Sequence, residues 1–523
     1  MRGLAIALAL AVSALVASAP QARSWLPPRY PASTLVQVDA GDAAAASELQ
    51  RAGGTLVSRS LGVWKVASPA VRELVPRLRA SGALRLVQRD HRLVSMNHIT
   101  SGDPLVAGEW WIPAVGLDKV EPPGPGVPLT VLDFGLDLTH AEFASRPNTV
   151  SLNRQRIETA DDAHGTAVSS VAAAPANGVG LVGIYPTALL REWDFHDALL
   201  SDVIRGFDAA SRTPGVINIS GGFFGREPLL DRAVQRAFDR GSLVVAASGN
   251  DRQNGSRPIF PANYPHVLTV AATTEAGGPA SFSSRGRFVD LAAPGQDMPV
   301  AVPTELNPVG YDVFDGTSFS APLVAGAAAW VWTARGALDN TQLFDLMRFA
   351  ARDISPAGRD RDTGYGLLDL PRALGAAIPR ADPQEPNEDI YAVKPRGLSP
   401  GGNSPLTQPG RSRAIVHARL DSVEDPFDVY RIWLPAHRRL VVRTQGNHDV
   451  NLALWRSRTR SVTERGRALR RDRLAVSLRR GVRIDRVAVR NGTARGSYVY
   501  AQVSAGRGTT LAAYALTVAT AGL

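Results

Sequence analysis

The chain has 523 residues, no cysteine and a formal net charge of +10, with 44% hydrophobic and 20% charged residues. This length exceeds what a single hydrophobic core supports, so we expect several domains of ordinary globular composition. The lack of cysteine excludes disulfide bonds, a cysteine nucleophile and cysteine-bound zinc.

The positive charge lies in the C-terminal part of the chain. Residues 381–523 contain 24 Lys and Arg against 12 Asp and Glu, so the rest of the chain is close to neutral. A basic region can bind nucleic acid, anionic lipid or acidic polysaccharide, but it is also ordinary for a solvated surface. We favour the solvated surface and expect no nucleic-acid partner.

The first residues have the pattern of a secretion signal. Arg2 precedes the apolar run LAIALALAVSALVASA, which ends in small residues that suit cleavage. The run is too short to span a bilayer comfortably. We therefore predict a signal peptide over residues 1–22, a secreted protein of the extracellular space or cell envelope, and no transmembrane segment.

The next segment predicts a small α+β unit. STLVQV indicates a strand, DAAAASELQRAG a helix, GTLVSRSLGVWKVAS two strands, PAVRELVPRLRAS a helix and ALRLVQRDHRLV a strand. The order βαββαβ is that of a ferredoxin-like unit. We place this unit at residues 32–98.

Residues 103–378 alternate apolar runs with helical patterns. The runs VPLTVLDF, TALLREWDF, PGVINIS, GSLVVAAS and HVLTVAAT are apolar nearly throughout, which suits parallel strands covered on both faces. We predict an α/β domain with a doubly wound, mostly parallel sheet. Its functional site should lie at the carboxyl ends of the strands.

Beyond the Pro-rich stretch IPRADPQEPNED, the pattern changes again. Segments such as RAIVHARL, DVYRIWLP, RLVVRTQ, VNLALWR and GSYVYAQVS alternate apolar and polar residues. Such short alternating segments predict an antiparallel β-sandwich, which we place at residues 384–523.

The string VLDFGLDLTH contains Asp-Phe-Gly, a triplet that holds metal ions in protein kinases. A kinase also needs a Gly-rich loop and a catalytic loop upstream of this triplet, and the sequence has neither. Asp133, the aspartate of the triplet, is better explained together with two residues further along the chain.

Three residues in order have the chemistry of acyl transfer. Asp133 ends a predicted strand, His164 begins the helical run HGTAVSSVAA, and Ser318 opens the apolar helix SFSAPLVAGAAAWVW. A serine hydroxyl needs a neighbouring base, and histidine can take and return its proton near neutral pH. A buried aspartate fixes the histidine tautomer and stabilises the imidazolium. Each residue alone is ordinarily a turn, surface or cap residue, so the prediction depends on their combination.

A fourth residue can complete this chemistry. Asn250 follows the apolar strand in VVAASGN, and its side-chain amide can donate a hydrogen bond to an oxyanion. Ser318 at a helix N-terminus also lies where unpaired N–H groups favour negative charge.

The local strings resemble the subtilase (peptidase S8) family. The resemblance rests on VLDFGLDLTHAEF, HGTAVSSVAA and GTSFSAPLVAG, and extends to VINISGG, AASGN, FSSRG, LAAPG and GYGLLDL. The order Asp, His, Ser is that of subtilisin. The resemblance covers about residues 103–374. It implies a subtilisin-like fold with Asp133 as triad acid, His164 as base, Ser318 as nucleophile and Asn250 as oxyanion donor.

The resemblance also implies a substrate-binding cleft in which an extended peptide pairs with the main chain. The residues concerned are Ser220, Gly221 and Gly222 on one wall and Ala247, Ser248 and Gly249 on the other. We accordingly expect a monomeric serine endopeptidase that cleaves proteins or peptides and needs no cofactor for its chemistry. Structural calcium is common in the family, but the sequence does not identify its ligands.

Two positions depart from the family pattern. Phe134 stands where a small hydroxyl residue usually follows the catalytic aspartate, and Ala167 replaces a second histidine of the His motif. A bulky Phe134 either crowds Asp133 or packs into the core. Asp137 is either a structural residue or an ion ligand, and we favour the structural role.

The flanking domains carry weaker resemblances. The N-terminal unit is similar to the inhibitor-type propeptide of subtilases, and its removal near residues 97–103 would activate the enzyme; a permanent accessory domain is the alternative. The segment EPNEDIYAV, with Asp425, Asp428 and Tyr430, resembles the bacterial pre-peptidase C-terminal domain, a binding or stability module.

Two rival functions remain open from the sequence. One is a catalytically impaired binding scaffold whose basic C-terminal domain recruits an anionic surface, an interpretation that depends on Phe134. The other is a lipase or esterase, although the sequence lacks a G-x-S-x-G elbow and has a different triad order.

Overall fold

The computed structural model describes residues 33–89, 102–354 and 356–521. The predicted signal peptide and nearly all of the expected cleavage segment therefore lie outside the described residues. Among the described residues, no helix is long and apolar enough to cross a membrane.

The N-terminal unit has the predicted order of elements. They are β1 Ser33–Val38, α1 Ala43–Arg51, β2 Thr55–Ser58, β3 Val63–Ala67, α2 Ser68–Ala80 and β4 Leu84–Arg89. The four strands form an antiparallel sheet in the order β2-β3-β1-β4. Its core is formed where Val36 and Val66 of the sheet meet Leu49, Leu74 and Leu78 of the two helices.

The second part of the chain is the predicted α/β domain. Its strands are β5 Leu129–Asp133, β6 Thr149–Ser151, β7 Leu190–Asp194, β8 Val216–Ile219, β9 Phe223–Phe224, β10 Leu243–Ala247, β11 Ile259–Phe260, β12 Val267–Thr273, β13 Leu291–Pro294, β14 Met298–Ala301 and β15 Tyr311–Phe314. Its helices are α3 Trp111–Val115, α4 Ala163–Ala173, α5 Leu200–Ala210, α6 Pro228–Asp239, α7 Thr317–Arg335, α8 Asn340–Phe349 and α9 Leu370–Gly375.

Seven of these strands form one sheet in the order β13-β12-β10-β8-β5-β7-β6. Every pair of neighbours in it is parallel. Helices α4 and α7 pack on one face and α5 and α6 on the other. Because both faces are covered, the central strands are buried along their whole length, which explains why their sequences are apolar without alternation.

The sheet has a switch point between β5 and β8. The chain leaves β5 towards β6 and β7 on one side, and continues from β8 towards β10, β12 and β13 on the other. A crevice forms at the carboxyl end of such a point. Leu132 of β5 lies opposite Ile219 of β8, and Ile219 lies opposite Ala246 of β10. The residues that follow these three therefore meet at one edge of the sheet.

The C-terminal part contains two four-stranded antiparallel sheets, consistent with the predicted β-sandwich. Its elements are α10 Ile390–Val393, β16 Arg413–Asp421, β17 Phe427–Leu434, β18 Arg439–Gly446, β19 Val450–Arg456, α11 Gly466–Asp472, β20 Arg473–Ser477, β21 Asp485–Arg490, β22 Ser497–Ala505 and β23 Leu511–Ala521. The sheet orders are β16-β23-β18-β21 and β17-β22-β19-β20. Residues such as Ile432, Leu452 and Leu516 fill the core between them.

A buried arginine joins this sandwich to the α/β domain. Arg348 of α8 lies 2.7 Å from Asp345, 3.0 Å from Asp421 of β16 and 3.3 Å from Asp290. Burial lowers the pKa of Arg348, but the three carboxylates more than offset this effect, so its pKa stands well above the ordinary value. Removing the arginine would leave buried carboxylates without a counter-charge, so the contact helps to fix the two domains together.

Candidate active site

Asp133 and His164 form a short hydrogen bond at the end of β5. The Nδ1 atom of His164 lies 2.6 Å from Oδ1 of Asp133, and the Asp133 side chain is only 3% exposed. The same Oδ1 accepts the N–H of Phe134 at 2.8 Å. Because a carboxylate only accepts hydrogen bonds, Nδ1 carries the proton and Nε2 is the atom left to act as a base.

The contact between α4 and β5 depends on a glycine. His164 is the second residue of α4, and the next residue, Gly165, donates its N–H to the carbonyl of Phe134 at 3.0 Å. A Cβ atom on Gly165 would lie 2.3 Å from the carbonyl oxygens of both Phe134 and Gly135. Only glycine therefore allows the start of the helix to approach the strand end closely enough for the histidine to reach Asp133.

The environment of His164 favours its protonated form. Burial lowers the pKa of this imidazole, but the charge of Asp133 and the hydrogen bond to it more than offset burial, so the pKa is raised above its ordinary value. The geometry thus stabilises an imidazolium, which is the form that a base adopts after it accepts a proton.

Ser318 lies at the same edge, at the start of α7. It is the second residue of the helix and is 8% exposed. Its hydroxyl donates to the carbonyl of Ser220 at 3.0 Å, and the Ser220 hydroxyl donates to the carbonyl of Ser318 at 2.8 Å. The ring of the next residue, Phe319, has its centroid 6.1 Å from that of His164. These contacts hold the start of α7 against the end of β8 and beside the histidine.

The side chain of Asn250 is oriented by Thr317. Its Oδ1 accepts the Thr317 N–H at 3.0 Å and the Thr317 hydroxyl at 2.9 Å. Two donors on one oxygen identify the other atom as the amide nitrogen, and Nδ2 makes no hydrogen bond to any residue that the structure describes. A Cβ atom on Gly316 would lie 3.4 Å from Nδ2, which places this donor beside the start of α7.

The six predicted substrate-binding residues follow two neighbouring strands. Ser220, Gly221 and Gly222 follow β8, while Ala247 ends β10 and Ser248 and Gly249 follow it. Gly249 has φ +97°, donates its N–H to the Thr317 hydroxyl at 3.1 Å and accepts the Ser284 N–H at 2.8 Å. The two segments run side by side, so the structure brings together all ten residues singled out from the sequence.

The departures from the family pattern leave the Asp133–His164 contact intact. The Phe134 ring packs edge to face on Phe195 with centroids 5.8 Å apart, so it joins the core and does not crowd the carboxylate. Ala167 is fully buried in α4. Asp137 accepts hydrogen bonds from the N–H of Thr139 at 2.8 Å and its hydroxyl at 2.6 Å, as a turn residue does.

Two residues that hold the site in place were not among those predicted from the sequence. Thr317 orients Asn250 and contacts Gly249, and Gly165 allows the close approach of α4. Both stand next to predicted site residues in the strings GTS and HGT. The glycine directly after His164 could have indicated that the backbone there packs too closely for a side chain.

A separate group of acidic side chains could hold a metal ion. Carboxylate oxygens of Glu385, Asp425 and Asp428 lie within 4.8 Å of one another, and so do ligand atoms of His266, Glu385 and Glu388. Burial raises the pKa of Glu385, Asp425 and Asp428, and neighbouring carboxylates raise it further. The Oδ1 atoms of Asp425 and Asp428 are buried without a hydrogen-bond partner among the described residues. A hard cation would satisfy such oxygens.

Comparisons with known proteins assign the α/β domain to a family. The subtilase family profile matches residues 124–366. The chain is 31% identical over 258 residues to subtilisin of Bacillus pumilus, an alignment that covers 48% of this chain and 91% of that protein. It is 30% identical over 314 residues to the minor extracellular protease Epr of Bacillus subtilis, covering 58% of this chain and 47% of that protein.

The chain thus spans about half the length of Epr. It is also 34% identical over 289 residues to a probable subtilase-type serine protease of Deinococcus radiodurans, and it spans 39% of that protein. Fervidolysin of Fervidobacterium pennivorans has a similar solved structure, with 20% identity, a TM-score of 0.49 and coverage of 90% of this chain and 88% of that one. The chain belongs to the subtilase family, whose members are serine endopeptidases.

The coupling between Asp133 and His164 can be measured directly. In Asp133→Asn the charge and the carboxylate acceptor that raise the pKa of His164 are lost, so we expect this pKa to fall below that of the wild type. NMR titration of the His164 imidazole measures the change. Asp208→Asn, which alters a half-exposed carboxylate paired with Arg240, should leave the His164 titration unchanged. An unchanged pKa in Asp133→Asn would show that the two side chains are not coupled.

Proposed function

We propose that this chain is a serine endopeptidase that cleaves protein or peptide substrates through an acyl-enzyme intermediate. The observation that carries the proposal is the 2.6 Å hydrogen bond between buried Asp133 and His164, beside the helix start that bears Ser318. Membership of the subtilase family supports the same activity.

In the first step the Ser318 hydroxyl attacks the carbonyl carbon of the scissile bond. Nε2 of His164 accepts the hydroxyl proton, and the Asp133 carboxylate stabilises the resulting imidazolium. For this transfer the hydroxyl must leave its hydrogen bond to the Ser220 carbonyl and turn towards the histidine. Such hydrogen bonds are often misaligned in the absence of substrate.

The negative charge on the carbonyl oxygen needs donors already in place. The Nδ2 group of Asn250 and the backbone N–H of Ser318 are suited to this role, since Thr317 fixes the amide and the helix N-terminus favours negative charge. In a subtilisin, removal of one such side-chain donor costs about 100- to 1000-fold in kcat.

Collapse of the tetrahedral intermediate then breaks the peptide bond. His164 returns its proton to the leaving amine, which departs as a free N-terminus, and Ser318 remains as an ester. Water, deprotonated by the same histidine, hydrolyses the ester and restores the hydroxyl. The proposed chemistry uses groups of this chain and water.

The cleft walls suit an extended peptide. Residues 220–222 and 247–249 offer backbone groups along which a substrate strand can add by main-chain hydrogen bonds. Pairing of this kind is largely independent of side chains, so we propose an enzyme that accepts many sequences at most positions of the substrate. The monomeric state remains a prediction from the sequence.

The remaining parts of the chain fit an exported zymogen. We propose that residues 1–22 direct export and that the N-terminal unit covers the site until it is removed. Arg79 of α2 donates a hydrogen bond to the carbonyl of Pro308 in the α/β domain, which supports docking of the N-terminal unit on that domain. The sandwich serves as a stability or binding module, and its similarity to the pre-peptidase C-terminal domain remains a prediction.

The rival interpretation as an impaired scaffold is less well supported. It depends on Phe134 disturbing Asp133, whereas the Phe134 ring lies on Phe195. The Arg-rich surface of the sandwich is compatible with either function.

A casein assay separates the two functions. We expect the mature wild type to hydrolyse casein and Ser318→Ala to lose at least about 1000-fold in kcat, because no other hydroxyl replaces the nucleophile. The matched control is Ser201→Ala, which changes the second residue of α5 on the exposed surface and should retain full activity. Equal hydrolysis by wild type and Ser318→Ala would contradict the proposal.

We also propose a structural calcium ion, held by Glu385, Asp425 and Asp428. Several carboxylates at one buried point repel one another unless they are protonated or bind a cation, and calcium prefers such oxygen ligands. Because this group belongs to the C-terminal part of the chain, the ion would stabilise the fold without entering the chemistry.

Thermal unfolding tests this ion. We expect EDTA to lower the midpoint temperature of unfolding and added calcium to restore it. At a calcium concentration 100 times the dissociation constant, the bound ion should add about 2.7 kcal/mol to the free energy of unfolding. Asp428→Asn should abolish the calcium response, while Asp208→Asn should keep it. A midpoint that does not depend on calcium in the wild type would exclude the site.

A further inference from the structure

A short two-stranded sheet links the chain segments that continue from the two proposed cleft walls. Strand β9, which follows Gly222, pairs with β11 in an antiparallel ladder, with Phe224 opposite Ile259 and Phe223 opposite Phe260. Strand β11 lies close to both walls, since atoms of Ile259 or Phe260 lie within 3.2 Å of the Cβ positions built on Gly222 and Gly249. Whatever side chain β11 directs into the space between the walls sets its depth.

Ile259 is that side chain. A Cβ atom on Gly222 would lie 2.8 Å from Cγ1 of Ile259, and one on Gly249 would lie 3.2 Å from its Cγ2. The two branches of one isoleucine therefore touch the backbones of both walls. Since Gly249 directly precedes Asn250, the contact lies close to the proposed reacting centre.

The position of Ile259 is firmly held. It is 4% exposed and belongs to the core beneath the sheet. Its carbonyl accepts hydrogen bonds from the N–H of Asn263 at 3.1 Å and from the Asn263 amide at 2.8 Å. A β-branched side chain on such a backbone has few rotamers, so a substrate group cannot push it aside at low cost.

The acidic side chain that directly follows Asn250 is already paired. Asp251 accepts hydrogen bonds from Arg257 at 2.8 Å and 3.1 Å and from the amide of Asn254 at 2.9 Å. A carboxylate occupied in this way offers no counter-charge for a lysine or arginine side chain of a substrate.

From these contacts we infer that Ile259 forms the floor of a shallow specificity pocket. The enzyme accordingly cleaves after residues with small apolar side chains, such as alanine, and discriminates against aromatic ones. The inference rests on the proposed peptidase function and names its substrate class. An aromatic ring would have to slide between the backbones of Gly222 and Gly249, in the space that the two branches of Ile259 occupy.

Two peptide substrates that differ only in the residue before the scissile bond test this assignment. We expect kcat/KM of the mature wild type to be at least about tenfold higher for alanine than for phenylalanine at that position, since a filled pocket rejects the larger group. Ile259→Gly empties the floor and should raise the phenylalanine-to-alanine ratio of kcat/KM by about tenfold or more. Ile259→Val keeps both branches and should retain the wild-type ratio within a few-fold.

The control is Ile378→Gly, a change at an isoleucine that is 43% exposed and outside the cleft, which should leave the ratio unchanged. Titration of active sites with a fluorophosphonate corrects each rate for the folded fraction. A wild type that cleaves both peptides but prefers phenylalanine, or an active Ile259→Gly with the wild-type ratio, overturns the assignment and leaves the peptidase proposal standing. A wild type that cleaves neither peptide overturns both.

Discussion

The site depends on one constraint, the alignment of the carboxyl ends of β5, β8 and β10 in a parallel sheet. This register places Asp133 beside the segments that follow Ile219 and Ala246, so one edge carries a buried carboxylate and both walls of a cleft. Two helices then bring the remaining groups. Gly165 lets α4 approach β5 closely enough for a 2.6 Å hydrogen bond, and mutual hydrogen bonds with Ser220 bring Ser318 to the same edge.

The same strand ends carry both the proposed reacting groups and the proposed specificity pocket. Thr317 holds the amide of Asn250 and also receives the N–H of Gly249, so one side chain fixes both the proposed oxyanion donor and a wall of the cleft. Ile259 contacts that wall at Gly249 and the opposite wall at Gly222. If the proposed assignment holds, such rigid contacts between the floor, the walls and the reacting groups would let a cleft that accepts many sequences discriminate at one position.

The fold class and the family were predictable from the sequence, and both are confirmed. Buried parallel strands are apolar along their whole length, so β5, β8, β10 and β12 could be recognised from local runs. Candidate site residues at strand ends and helix starts could be proposed because their motifs are local. The ladder of β9 and β11, the role of Ile259 and the contacts of Arg348 could not, because two-residue strands have no readable period and these contacts join distant segments. The signal peptide lies outside the described residues and stays a prediction.

The central claim is that His164, oriented by Asp133, activates Ser318. The most direct test is reaction of the mature protein with a fluorophosphonate probe, followed by mass spectrometry of the modified peptide. We expect one label, on Ser318 in the wild type, and little or none in a folded His164→Ala variant, since a hydroxyl without its base is a poor nucleophile. A label on a different serine, or equal labelling of Ser318 in both proteins, would contradict the claim.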